Sequence, residues 1–306
     1  MANLKDIKTR IQSVQNTRKI TRAMKMVAAA KVKKAESTVK SARPFATELS
    51  TIFKRMLSAV NGEYSVENLK VKSAIDNYPV LLEKREIKSV GLLVMSSNKG
   101  LAGAYNANII RKTISVIKDY NAQGLKVYLF IVGQKGNSGL KRKIENLNCE
   151  IAKTYLSIAN DVTATGARLV AEDLADFFVD KKIDKIEILT TRFKNMMSYS
   201  VQNWEVLPLS DEMHEDIHHV DPLMIFEPSV HGILQSIVPM YISNIIFQAL
   251  LEAQASELAS RMTAMSAASN NADDMIRLLS IDYNKARQWA ITQELVEIVS
   301  GANALK

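Results

Sequence analysis

Cysteine is almost absent from this sequence, since Cys149 is the one thiol among 306 residues. A single cysteine excludes an internal disulfide and a zinc site built from several cysteines, so the chain fits a reducing compartment. We expect Cys149 to be a buried, inert thiol. Long apolar runs are also lacking: none approaches the ~18 residues of a membrane span, and the N-terminus has no signal-peptide core. The sequence therefore predicts a soluble or peripheral protein on the cytoplasmic side.

Glycine is missing from residues 1–61 and 233–300, and proline is missing from residues 1–43 and 240–306. Both residue types interrupt regular structure, so their absence predicts a long helix at each end of the chain. Roughly 60 helical residues would reach about 90 Å, far beyond the width of a small domain. The two ends must therefore pair with each other, with partners, or with both.

The N-terminal helix has apolar residues at the 3-4 spacing of a coiled-coil seam. They form two runs, Leu4, Ile7, Ile11 and Val14, then Val32, Ala35, Val39 and Ala42. Between the runs the same phase holds Arg18, Thr21 and Lys25, so we predict that the apolar seam shifts there to Ile20, Met24 and Val27. In the C-terminal helix, Ala or Ser fills 11 of the 20 positions 253–272, which lets helix axes approach closely.

An α/β pattern lies between the two helices. Residues 89–95, 126–132 and 185–191 read as buried strands, residues 198–207 as a last strand, and residues 107–120 and 165–179 as helices. Alternating strands and helices predict a mostly parallel α/β domain of two or three layers. The predicted order is an N-terminal helix (1–60), a polar connector (61–87), the α/β domain (88–210), an acidic, His-containing loop (211–227) and a C-terminal helix (228–306).

The segment His214-Glu215-Asp216-Ile217-His218 satisfies the zinc-protease pattern H-E-x-x-H. In that chemistry two histidines on one helical face bind zinc and the glutamate activates the metal-bound water. Here the segment lies in a polar stretch between Pro208 and Pro222, with no amphipathic helix to hold it. A solvated acidic loop is the favoured interpretation, a zinc hydrolase using His214, Glu215 and His218 is the weaker one, and incidental metal binding also stays open.

Two glycine-containing turns could hold a phosphate. They comprise residues 96–103 after the first strand and residues 133–136 after the second. A loop that leads into a helix can bind an anion, but neither turn matches G-x-x-x-x-G-K-[ST] or G-x-G-x-x-G. Tight strand-to-helix turns explain both more simply, and we expect no cofactor.

Acidic residues are scarce at the N-terminus, where residues 1–43 carry 12 Lys or Arg against Asp6 and Glu36. Such a helix repels itself unless an acidic surface lies close. The whole chain, with a net charge of +8, likewise favours an acidic partner. A protein, a nucleic acid and an anionic membrane surface are all open on charge alone, although the aromatics that stack bases are missing before Phe45.

Two segments resemble the terminal signatures of the gamma subunits of F-type, rotary ATP synthases. Residues 20–31 read ITRAMKMVAAAK, and residues 283–302 read YNKARQWAITQELVEIVSGA. The helix–α/β–helix order extends the resemblance over the whole chain. It implies an antiparallel pair of N- and C-terminal helices in a coiled coil, with a central Rossmann-like α/β domain.

The resemblance also implies a role. Gamma subunits turn inside a ring of three alpha and three beta subunits, while their lower part contacts epsilon and the membrane c-ring. This implies a non-catalytic rotor shaft on the cytoplasmic face of a bacterial-type plasma membrane, with no nucleic acid and no membrane insertion. Arg22, Met24 and Lys25 would face the acidic loop of beta. The full set of implied rotor-to-stator residues is Arg18, Arg22, Met24, Lys25, Arg261, Lys285, Arg287, Gln288, Thr292 and Glu294.

One loop departs from the family pattern. The family's Asp-Arg-Gly-Leu-Cys-Gly appears here as Asn98-Lys99-Gly100-Leu101-Ala102-Gly103, without the acid and the thiol. The cysteine pair that regulates chloroplast relatives is absent too, which excludes an intramolecular redox switch.

Overall fold

A computed structural model describes residues 4–59, 78–81, 85–208 and 230–304 of the chain. These residues form two compact units, one from Met1–Ala30 with Arg261–Lys306 and the other from Lys31–Ser260. Helices α1 (Leu4–Ala59) and α6 (Val230–Ala304) each belong to both units, and they continue through Pro44 and Pro239 respectively. The predicted long helices are confirmed, whereas the predicted domain limits stay predictions.

The second unit, Lys31–Ser260, contains a five-stranded sheet with its helices, and we call it the α/β unit. The remaining elements in chain order are α2 (Tyr78–Leu81), β1 (Ser89–Met95), α3 (Tyr105–Ala122), β2 (Lys126–Val132), α4 (Gln134–Lys141), β3 (Cys149–Tyr155), α5 (Ala164–Val179), β4 (Lys185–Asn195) and β5 (Ser198–Leu207). The strand order is β3-β2-β1-β4-β5. The first four strands are parallel and β5 is antiparallel, which confirms the Rossmann-like α/β prediction.

Three elements of this unit were not predicted from the sequence: the short helix α2, which lies in the predicted connector, strand β3 and helix α4. Strand β3 lies at the edge of the sheet and is mostly half-exposed, so it lacks the continuous apolar run that marks β1 and β2. Helix α4 contains Gly136 and Gly139, residues that usually indicate a turn. Gly136 belongs there because a Cβ at this position would collide with Ser96.

The sheet is covered on both faces, so the unit has three layers. Helices α3 and α4 pack on one face, where Ile109 and Ile117 contact the side of β1 and β2. Helix α5 and parts of α1 and α6 pack on the other face. Phe53 of α1 stacks on Tyr241 of α6 with ring centroids 4.4 Å apart. Arg43 of α1 pairs with Glu252 of α6, so the contact moves backwards along α6 as α1 advances from residue 43 to 53, and the two helices are antiparallel in this unit.

Residues 230–251 of α6 contain no Asp, Glu, Lys or Arg. Within the described ranges, α6 is long and apolar enough to cross a membrane by length and composition alone, so the prediction that no such run exists is wrong. Leu234, Val238 and Ile242 of this run are fully or almost fully buried in the second unit. Core helices share this composition, and packing on the sheet accounts for it here.

Arg85 fixes the chain where it enters β1. Its guanidinium lies 2.8 Å from the Asp184 carboxylate and 4.2 Å from the centroid of the Phe178 ring. The same Asp184 accepts hydrogen bonds from the backbone N–H groups of Lys88 and Ser89. The end of the predicted connector is therefore held by charge-assisted bonds to the β4 side of the sheet.

Cys149, the lone thiol, begins β3 and is half-buried, not fully buried as expected. Its Sγ lies 3.9 Å from the Ile144 carbonyl oxygen, and burial raises the pKa of the thiol. A thiol with a raised pKa is a weak nucleophile, which agrees with the expected inert role.

Candidate functional site

The first unit consists of the beginning of α1 and the end of α6, and we call it the paired-helix unit. Its burial pattern shows how the two helices pair. On α1 one heptad stripe is buried or half-buried without interruption: Leu4, Ile7, Ile11, Val14, Arg18, Thr21, Lys25 and Ala28. A 3-4 spacing keeps these side chains on one seam. Met24 and Ala29, beside the stripe, are the other residues between 4 and 30 that are not exposed.

The predicted shift of the apolar seam at this point is wrong. Ile20 is 61% exposed and Val27 is 57% exposed, and only Met24 of the three predicted residues is half-buried. The seam stays in phase because Arg and Lys can bury their aliphatic stems along it while the charged groups reach water at its edge. Three apolar residues lie outside the seam and are exposed: Ile20, Met26 and Val27.

Helix α6 supplies a matching stripe of small and medium side chains, including the buried Met265, Ser269 and Ala272. Arg18 Nη1 donates to Asp273 Oδ1 at 2.7 Å and so joins the two helices. The side chains of Arg18 and Asp273 are 37% and 55% exposed, so water screens the pair and it contributes little stability, typically under about 1 kcal/mol. Arg18 nevertheless has an acidic partner, Asp273, within the chain.

Beyond Ala290 the α6 stripe ends. Every residue from 291 to 302 is exposed, including Ile291, Leu295 and Ile298. Large apolar side chains rarely stay in water as a contiguous surface unless a partner covers them. We refer to residues 291–302 as the exposed tip.

The ten predicted site residues form separate clusters. Arg18, Arg22, Met24 and Lys25 lie on two turns of α1, where Arg22 is exposed and the other three are half-buried. The other candidates lie on α6: Arg261 is half-buried, whereas Lys285, Arg287, Gln288, Thr292 and Glu294 are exposed. Arg261 and Lys285 each lie twelve residues from Asp273, about 18 Å along the helix axis.

Sequence reasoning missed two parts of this surface. It did not identify Asp273 as the partner of Arg18, and it did not place Ile20, Met26 and Val27 on the outer face. The continuous heptad phase from Leu4 to Ala28 could have shown the second point. The predicted roles of the ten residues stay predictions.

The two turns considered as phosphate sites use their polar groups within the chain. Ser96 Oγ donates to the Val132 carbonyl at 2.6 Å and accepts from the Gly136 N–H at 2.8 Å. Asn98 accepts from Gln134 N at 2.9 Å and donates to the Leu156 carbonyl at 2.6 Å. An amide can do both, whereas the family's aspartate could only accept. These bonds favour the interpretation of both segments as tight turns.

The crevice where Rossmann-like domains bind ligands lies at the carboxyl ends of β1 and β4, where the strand order reverses. Helix α6 reaches this edge, because Ser260 Oγ donates to the Ala102 carbonyl at 2.7 Å. A second hydrogen bond joins α6 to β4, because Thr190 Oγ1 donates to the Ala249 carbonyl at 3.0 Å. The position that a dinucleotide would take in other proteins is thus next to a helix of this chain.

His214, Glu215 and His218 lie outside the described residues, so the zinc-hydrolase alternative stays a prediction. Zinc analysis of the purified protein and of a His214→Ala variant tests it. Within the ranges that the structure covers, no group of three or more His, Cys, Asp or Glu side chains is placed to hold a metal ion.

A family model described as ATP synthase matches residues 3–305. A relative from Synechococcus sp. (strain JA-3-3Ab), named ATP synthase gamma chain, is 39% identical, and the match covers 100% of both chains. A relative of the same name from Nostoc punctiforme is 40% identical, again over 100% of both chains.

Solved structures agree with these relatives. A chain in the central stalk and c-ring structure of the Tetrahymena thermophila mitochondrial ATP synthase is 27% identical with a TM-score of 0.59, over 82% of this chain and 99% of that chain. A chain of the Euglena gracilis mitochondrial ATP synthase is 17% identical with a TM-score of 0.68, over 99% of this chain and 94% of that chain, and it shows the shared fold. The chain described here belongs to the ATP synthase gamma-chain family.

Proposed function

We propose that this chain is the central rotor shaft of an F-type ATP synthase and couples ion flow through a membrane ring to ATP synthesis or hydrolysis on other subunits. Full-length similarity to gamma chains supports this role. The structural observation that carries the proposal is the burial pattern of the first unit. Its two helices bury a single seam and leave charged and apolar residues exposed on the other faces, as a shaft surrounded by partners requires.

The outer face of α1 combines two exposed cations, Lys19 and Arg22, with the exposed apolar side chains of Ile20, Met26 and Val27. At about 100° per residue, these side chains spread over roughly half of the circumference of α1, on the side away from the seam. A rotating shaft with such a mixed surface presents different residues to each surrounding partner in turn. To move a partner from 1:99 to 99:1 between two states, the contacts must differ by about 5.5 kcal/mol. Exposed charge pairs are individually weak, so several can be made and broken at each step.

The proposed partners are three alpha and three beta subunits around the paired helices, with epsilon and the membrane c-ring at the other end. The chain itself is non-catalytic and needs no cofactor. The complex lies on the cytoplasmic face of a bacterial-type plasma membrane. The net charge of +8 supports acidic protein partners, and the exposed tip of α6 supports an apolar contact at the end of the shaft.

Among the basic residues of α1, the structure favours Arg22 over Arg18 as the cation that meets an acidic loop of beta. Arg18 already pairs with Asp273 at 2.7 Å, whereas Arg22 is exposed. Lys25 and Met24 are half-buried and reach the edge of the seam beside it. We therefore assign Arg22 the larger part of the electrostatic contact.

Reconstitution tests the proposal. The chain, mixed with alpha and beta subunits, is expected to co-purify as a stable ATPase. In membrane vesicles that carry the complete complex with its membrane ring, Arg22→Glu is expected to lower ATP-driven ion pumping more than it lowers assembly. The matched control is Lys112→Glu, which reverses an exposed cation on α3 of the α/β unit. A chain that never co-purifies with alpha and beta, or equal effects of the two reversals on pumping, would contradict the proposal.

A further inference from the structure

Glu252 of α6 is a fully buried carboxylate that joins three parts of the α/β unit. It accepts two hydrogen bonds from Arg43 of α1, from Nε at 2.8 Å and from Nη2 at 2.9 Å. It also accepts one from the backbone N–H of Phe193 in β4 at 2.8 Å. Arg43 Nη2 in turn donates to the Phe193 carbonyl at 2.7 Å. We call Arg43, Phe193 and Glu252 the Glu252 node.

Stability alone does not explain a charged node in this place. A buried ion pair is often no more stabilising than apolar residues of similar volume, because both charges lose their hydration. Leu49 and Phe53 of α1 and Ala249 and Leu250 of α6 are buried in the core of the same unit. Of the charged side chains, Glu252 is 0% exposed and Arg43 is 30% exposed, and Arg192 Nη1 lies 3.5 Å from Glu252 as a second cation.

The hydrogen bonds of the charged node fix the orientation of the groups that they join. Apolar contacts are non-directional, so they resist separation of two elements better than rotation of one about its own axis. The planar guanidinium of Arg43 binds a carboxylate through two parallel bonds, which fixes their mutual angle. Because the same guanidinium and the same carboxylate bind the N–H and C=O of one β4 residue, both helices are fixed to the backbone of the sheet.

We propose that the Glu252 node resists rotation of α1 and α6 relative to the sheet within the α/β unit. This inference rests on the proposed rotor function, because a link that resists rotation has its use in a chain that transmits torque. Arg43 and Glu252 are positioning residues in this account. Their contribution is a torsional stiffness that apolar packing of equal stability does not supply.

The experiment measures that stiffness in the reconstituted complex of alpha, beta and the full chain. In a Cys149→Ser background, a bead is attached through Lys112→Cys on α3, which packs on the sheet face opposite the node. In a stalled complex, thermal fluctuation of the bead angle reports the torsional stiffness of the chain between the alpha and beta subunits and the sheet. A second attachment, Ser41→Cys on the exposed side of α1, reports a path that does not cross the node.

Arg43→Lys is the main variant, since it keeps the charge but loses the fork that reaches both Glu252 and Phe193. We expect a wider angular spread than in the unmodified chain for the bead at position 112, and an unchanged spread for the bead at position 41. Ile109→Val, a core change under α3, is the control for altered stability, and we expect no change from it. Glu252→Asp serves as a second variant if Arg43→Lys does not assemble, with the same expected result.

An angular spread at position 112 that is the same in Arg43→Lys as in the unmodified chain would overturn the inference. An increase of the same size in Ile109→Val would overturn it as well, because the effect would then follow stability and not the node. Failure of the unmodified chain to assemble or rotate would instead count against the proposed rotor function. The two failures are therefore distinguishable within one set of measurements.

Discussion

Arg43→Met is expected to destabilise the α/β unit far more than most single changes. The Glu252 side chain is 0% exposed, so removing Arg43 leaves a buried carboxylate with Arg192 Nη1, at 3.5 Å, as its nearby cation. Breaking a buried pair by removing one partner costs about 3–5 kcal/mol. Since whole domains are stable by about 5–15 kcal/mol, this loss is a large share of the total.

The double variant Arg43→Met/Glu252→Met separates the pair from its surroundings. It removes both charges and leaves the Phe193 N–H without its acceptor, which costs about 1–3 kcal/mol. We therefore expect the double variant to be more stable than Arg43→Met alone, even though it carries an additional substitution. This order of stabilities is expected if the charged pair contributes orientation and little net stability.

The assay is urea unfolding of the full-length chain, followed by tryptophan fluorescence. Trp204 lies in β5 of the α/β unit and Trp289 in the paired-helix unit, so a Trp289→Phe background lets Trp204 report the unit that contains the node. Lys40→Met, which breaks the exposed pair with Glu36, is the matched control and should cost under about 1 kcal/mol. A double variant that is less stable than Arg43→Met alone would contradict this expectation.

Three further outcomes are expected. Burial raises the pKa of Glu187, but hydrogen bonds led by that from Lys185 outweigh burial and hold the pKa below its ordinary 4.5. The resulting stability is present above about pH 4.5 and is lost as the pH falls through the lowered pKa, so Glu187→Gln should flatten the acid limb of a stability-versus-pH curve. Truncation after Ala290 should leave the melting temperature unchanged, because residues 291–302 are all exposed; a clear drop would reveal contacts of the tip. Gly136→Ala should cost about 1–3 kcal/mol in urea unfolding, since the added methyl collides with Ser96; an unchanged midpoint would contradict that packing.

Much of the α/β unit is predictable from the sequence because its signals are local. Strands β1 and β2 are short, continuous apolar runs, and the structure gives them the predicted limits. Strand β3 has no such run, because it lies at an edge where Glu150 and Lys153 face water. Its existence depends on pairing with β2, which no local pattern records.

The candidate site is less predictable, because it depends on which face of a helix a partner covers. Arg18 and Lys25 occupy seam positions although they are charged. A prediction based on hydrophobicity alone therefore assigns the seam to the wrong residues. Glu252 is a stronger case, since a glutamate in a helix is normally taken as exposed. Its burial follows from Arg43 and the β4 backbone, which lie 209 and 59 residues away in the chain.

Rotation of the assembled chain tests the central claim most directly. In a complex with immobilised alpha and beta subunits, a bead attached through Lys112→Cys in a Cys149→Ser background is observed while ATP is supplied. We expect the bead to rotate stepwise in one direction and to stop when ATP is removed. ATP hydrolysis by a complete complex whose bead shows only Brownian motion would contradict it.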